Sequence, residues 1–208
     1  YQTSEDDADD TVVPRFIRAG GVGERLHFID ESKTCVTFDD ARIRKAIEET
    51  NAKLLVLDPL SSYIGNCSMN AANEVRPAFN HLIQTAKETG CAIVIVNHLN
   101  KMYGTKAIYR TPGSIDVVGA VRSALLIARD PDDEEKRIMV MQKANLAPTG
   151  SAIIFSVSDD GVTIIGEIEK TADEVLGSFS GMCGRPDDKT QEAIKFIRSL
   201  LVDGEEHS

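Results

Sequence analysis

A mostly parallel α/β sheet with helices on both faces and an antiparallel C-terminal edge is the fold this 208-residue sequence predicts. Three observations predict it. Short apolar runs alternate with segments of helical period along most of the chain. Two of the runs, residues 54–57 and 92–96, are continuously apolar, as parallel strands buried on both faces are. Two later runs, 153–157 and 162–165, flank Ser158-Asp159-Asp160-Gly161, a hairpin turn signal.

The elements follow in order. Tyr1-Gln2-Thr3-Ser4 has the look of a strand end, and no initiator Met precedes it, so the chain is expected to be cut from something longer. Residues 9–19 set Val12, Val13, Phe16, Ile17 and Ala19 at helical spacing, with Pro14 tolerable in the first turn and Asp7 or Asp9 as N-cap. Gly20-Gly21-Val22-Gly23 ends that helix, and residues 26–29 are expected to form a short strand. Phe38-Asp39-Asp40 opens a helix with Ile43, Ala46 and Ile47 inward. The run from Leu54 stops at Asp58-Pro59. Residues 70–89 give the clearest helix, with Val75, Ala78, Phe79, Leu82, Ile83 and Ala86 three and four apart and Gly90 closing it. The strand from Ala92 ends at Asn97-His98, and runs 123–128 and 137–143 add two more strands. The expected division is a partial core over 1–168, a polar, glycine-bearing linker over 169–189, and a C-terminal helix within 190–208. That helix carries Ala193, Ile194, Phe196, Ile197, Leu200 and Leu201 on one stripe, which needs a partner: either it docks back or it begins a further module.

Composition excludes several classes. Apolar residues at 42% and charged residues at 27% are globular values, which argues against global disorder. Aromatics at 5%, with no Trp, argue against a stacking platform for nucleic acid. The net charge of −10 confines any phosphate contact to a local basic patch. Cysteines 35, 67, 91 and 183 show neither CxxC nor metal spacing, and three of them lie in or beside apolar segments, as small buried hydrophobes do. No run approaches a membrane span and no secretory segment opens the chain, so a reduced, cytoplasmic protein is expected.

Sites in open α/β sheets lie beyond the carboxyl ends of the parallel strands. Glu5-Asp6-Asp7 follows the first strand, Asp58 the second, and Asn97-His98 the third. Singly, such an acid is more often a helix cap, and such a histidine more often a surface group. Together on one rim, two carboxylates and an imidazole suit metal-assisted hydrolysis.

The ordered set of Ser4-Glu5-Asp6-Asp7, Arg15, Gly20, Leu55-Val56-Leu57-Asp58-Pro59-Leu60-Ser61, Val96-Asn97-His98-Leu99-Asn100-Lys101, Gly113-Ser114, Arg122 and Lys143-Ala144-Asn145 resembles the AAA-family, RecA-like ATPases related to plasmid RepA-type hexameric helicases. The resemblance spans nearly the whole chain. It implies a RecA-like P-loop NTPase core using ATP and Mg²⁺. Glu5 matches the glutamate that activates the attacking water, and Asp58 the acid that holds Mg²⁺ through water. His98 matches the γ-phosphate sensor, Arg122 a finger reaching the ATP of a neighbouring subunit, and Lys143 a contact to nucleotide. For Arg122 a helix-end salt bridge is the equal alternative. The resemblance further implies a hexameric ring, and single-stranded DNA bound by the loop carrying Lys101, Lys106 and Arg110, with Tyr103 and Tyr109 interleaved.

One departure is large. The family's GxxxxGK[ST] loop belongs before Glu5 and is absent from these 208 residues. Gly184-Arg185-Pro186-Asp187-Asp188-Lys189-Thr190 imitates it poorly: Asp188 stands where glycine is required, Pro186 lacks an amide donor, and two acids repel phosphate. The core is thus expected to lack its first strand and phosphate loop, and this chain alone to be inactive. A helicase or translocase core is the leading expectation. A KaiC- or RadA-like regulatory or recombinase ATPase, or a non-catalytic interaction domain, is the alternative.

Overall fold

The computed structural model describes residues 1–65, 67, 71–99, 114–159 and 161–177. Its strands form two hydrogen-bonded sheets. The first is parallel, in the order β1 (Gln2–Thr3), β2 (Leu54–Asp58), β3 (Ala92–Ile95). The second is an antiparallel meander of β4 (Ser123–Arg129), β5 (Lys136–Ala144), β6 (Ala152–Ser158) and β7 (Gly161–Ile168). The fold is α/β, and its parallel and antiparallel parts fall where the apolar runs place them.

Local chemistry sets the helices. Asp7 caps the first, its carboxylate accepting from the amides of Asp9 and Asp10; a π-helical turn at Ala8–Val12 runs on into α1 (Val13–Arg18), with Pro14 in the first turn. Helix α2 (Ala41–Thr50) starts on Asp40, which accepts from the Arg42 amide, and stops at Asn51 in a left-handed conformation. After the short α3 (Leu60–Tyr63), α4 (Ala72–Thr89) ends at Gly90 with φ 68°, a conformation that glycine adopts without strain. Helix α5 (Ser114–Ala120) leads into β4.

Two cores result. One side of the parallel sheet, Leu55 and Leu57, packs with Ile43 and Ile47 of α2 and Val75, Phe79 and Leu82 of α4, and Phe38 meets Phe79 edge to face. The second core joins Leu126, Ile138, Val140 and Ala152 of the meander to Ala172, Val175 and Leu176. On the other side of the parallel sheet Leu54 is 55% and Val94 48% exposed, so among the described residues one face is covered, with Leu55 and Leu57 buried and Ile93 and Ile95 half-buried, and the other is open.

Three expectations need correction. Residues 26–29 form no strand. Instead the buried Gln2 amide side chain bonds both the N–H and the C=O of Ile29, replacing a strand partner. The expected linker begins with a helix, α6 (Ala172–Gly177), whose Val175 is wholly buried. A reciprocal cap starts it: Glu174 accepts from the Thr171 amide, and Thr171 Oγ1 accepts from the Glu174 amide. Of the described cysteines only Cys91 is buried, and Cys35 is exposed. Residues 178–189 of the linker and the C-terminal helix lie outside the described residues. No described helix is long and apolar enough to cross a membrane.

Candidate functional site

Parallel pairing brings three strand ends together. Thr3 lies opposite Asp58, and Leu57 opposite Ile95, so the segments after β1 and β3 emerge beside Asp58 on one rim. The Ser4 amide donates to the Asp58 carbonyl, the Asp58–Pro59 bond is cis, and the Leu60 amide donates to Val96 O, tying the exits of β2 and β3 to each other. Thr3 Oγ1 accepts from the amides of Glu5 and Asp6, turning the chain sharply out of β1.

On that rim one ligand atom each from Glu5, Asp58 and His98 lies within 4.8 Å of the others. His98 Nε2 is 3.1 Å from Glu5 Oε2, with both side chains more than half exposed. Asp58 is half-buried, and its Oδ2 accepts a 2.8 Å hydrogen bond from the Tyr1 hydroxyl. Burial first, and then the bond to Asp58 and its charge, push the Tyr1 phenol up to about 12, so it stays a donor across the physiological range. Sequence reasoning missed Tyr1. The strand register that carries it to Asp58 is the signal, and a single sequence does not display it. Asp6, beside the cluster, pairs with Arg15 at 3.2 Å.

The other predicted residues lie elsewhere. Arg122 is exposed at the junction of α5 and β4, and no helix-end salt bridge to it is formed among the described residues. Lys143 Nζ donates to the carbonyls of Val118, Gly119 and Val121 at 2.7–3.0 Å, closing the C-terminus of α5. All three of its protons are thereby engaged within the chain. Lys143→Met is expected to lower unfolding stability by about 1–2 kcal/mol in urea titration, the size of charge-assisted hydrogen bonds at a partly exposed site. Unchanged stability with weakened nucleotide binding would return Lys143 to the nucleotide. Lys101, Lys106 and Arg110 lie outside the described residues, as does the segment 184–190.

Two carboxylates, an imidazole and a phenol at the carboxyl ends of parallel strands can hold a divalent cation and activate water. Comparisons with known proteins bear on the family and the fold. Residues 1–103 match the family model described as an AAA domain. The fold is similar to a solved structure described as the crystal structure of the RadB recombinase, with a TM-score of 0.50 at 15% identity over 77% of this chain and 76% of that one. No curated protein matches the chain. The fold is RecA-like.

Proposed function

We propose that this chain is the larger part of the ATPase core of a ring-forming DNA helicase or translocase of the RepA type. The observation that carries ATP hydrolysis is the convergence of Glu5, Asp58 and His98 at three adjacent strand ends. Bound Mg²⁺–ATP supplies the scissile phosphoanhydride and neutralises its developing charge. Asp58, oriented by Tyr1, would hold the cation through water. Glu5 would take the proton of the attacking water, and His98, 3.1 Å away, would couple that base to the γ-phosphate. Arg122, exposed and without an ion-pair partner among the described residues, is free to reach a neighbouring subunit's nucleotide.

The residues present suit the cation side of the site and not the phosphate cradle, for which these 208 residues hold no fitting glycine-rich loop. Among the described residues β3 pairs only with β2, and β4 only with β5. Two open edges of this kind would accept a further strand. We assign that strand, and the phosphate loop after it, to residues upstream of Tyr1. The RadB recombinase likeness favours a second reading, a recombination ATPase on the same core.

The test is ATP turnover of the chain extended through its natural upstream residues, with and without single-stranded DNA. A DNA-dependent motor predicts stimulation that is lost in Lys101→Ala/Lys106→Ala/Arg110→Ala. The same variant should flatten the slope of log affinity against log salt by about 2 if all three cations meet phosphates. Unwinding of a forked duplex selects the helicase, and strand pairing without unwinding the recombinase. Turnover indifferent to DNA would point to a regulatory ATPase. Nucleotide binding without turnover would point to the interaction domain.

A further inference from the structure

We infer that Glu5, Asp58 and His98 also form a direct binding site for a divalent transition-metal ion, such as Co²⁺, Mn²⁺ or Zn²⁺, that needs no nucleotide. The three donors stand at spacings close to those within a coordination sphere. Metal–oxygen and metal–nitrogen bonds of about 2.1 Å place neighbouring ligand atoms about 3.0 Å apart in an octahedron and about 3.4 Å apart in a tetrahedron. Glu5 Oε2 and His98 Nε2 stand 3.1 Å apart, already one edge of such a polyhedron. The third donor, on Asp58, lies within 4.8 Å of both, a gap that rotation of two exposed side chains closes.

The donors are also well supported. Each comes from a separate strand end, in a rim fixed by Ser4–Asp58 and Leu60–Val96 backbone bonds. The Tyr1 hydroxyl holds Asp58 Oδ2, the kind of outer hydrogen bond that orients a metal-binding carboxylate. Two carboxylates supply the charge, and the imidazole sets the choice. A site made only of oxygens suits Mg²⁺, whereas one with an imidazole donor favours the later first-row metals. The ion would take the place of the Glu5–His98 hydrogen bond. Its regulatory consequence rests on the ATPase reading above: a metal held by Glu5 removes the base, so Zn²⁺ or Co²⁺ would arrest a site that Mg²⁺ supports.

Co²⁺ titration of the 208-residue chain, followed by visible absorption, tests the site without any enzymatic assay. One Co²⁺ per chain is expected, with ligand-field bands, displaced by Zn²⁺ and not by excess Mg²⁺. His98→Ala and Asp58→Asn should each weaken binding at least tenfold, while far-ultraviolet circular dichroism stays unchanged. Absence of binding, unchanged affinity in His98→Ala, or a thiolate-to-cobalt charge-transfer band placing the ion on cysteine would each overturn the site. Turnover of the upstream-extended chain in Mg²⁺ with added Zn²⁺ separates the two readings. Binding with undiminished turnover would keep the metal site and remove Glu5 as the base.

Discussion

Glu5→Gln, in the chain extended through its upstream residues, is expected to lose about 10²–10⁴-fold in ATP turnover while still binding ATP. That is the span of a general base, about 2.7–5.4 kcal/mol of the barrier. The substitution changes little else. Glutamine has the length and shape of glutamate, and its amide can keep the 3.1 Å contact with His98. The side chain is more than half exposed, so no buried charge is left uncompensated and the fold has no reason to shift. In the proposed reading Glu5 meets the water rather than the phosphates, so the loss belongs in kcat, with KM nearly unmoved. Glu5→Asp keeps the charge but withdraws it by one methylene, and should fall between the two. Turnover of Glu5→Gln within tenfold of the parent would reduce Glu5 to a hydrogen-bond partner of His98.

Much of this site was legible because its chemistry follows strand ends. An apolar run that stops at Asp58-Pro59 and another that stops at Asn97-His98 locate both residues, and the rule about carboxyl ends supplies their convergence. The capping residues Asp7, Asp40 and Gly90 were equally readable, since caps act within four residues of themselves. What was not legible depends on partners far along the chain. Leu26, Phe28 and Ile29 have strand composition, yet the ladder position beside them is taken by one amide side chain, Gln2. Tyr1 reaches Asp58 only through the pairing of β1 with β2. Helix α6 was a different failure. Its Thr171-x-x-Glu174 box is local and readable, and the polar, glycine-bearing composition around it outweighed the signal. The continuous run 54–57 predicts two buried faces, but apolar residues tolerate exposure, and composition does not say which face a helix covers.

Two leucines of that one strand turn the question into a measurement. Leu57→Ala is expected to destabilise the 208-residue chain by about 2–5 kcal/mol, and Leu54→Ala by less than about 1. Leu57 has no exposed surface and packs in the core that holds Leu60, Tyr63 and Ile43, next in the strand to Asp58. Its truncation removes three carbons from water-free packing and leaves a cavity in that core, which can collapse only in part. Its carbonyl also accepts from the Val96 amide, so loosening this residue loosens the tie between β2 and β3 that aligns Asp58 with His98. Leu54, three positions earlier, is 55% exposed and points to the other side of the sheet. The same deletion there forfeits little burial and opens no cavity. Leu57→Met, which conserves volume, should cost under about 1.5 kcal/mol, separating packing from mere substitution. Urea unfolding reads all three, provided the dependence on denaturant keeps one slope. Equal losses at 54 and 57 would mean that both faces of β2 are covered in solution, and the open face seen here would be wrong.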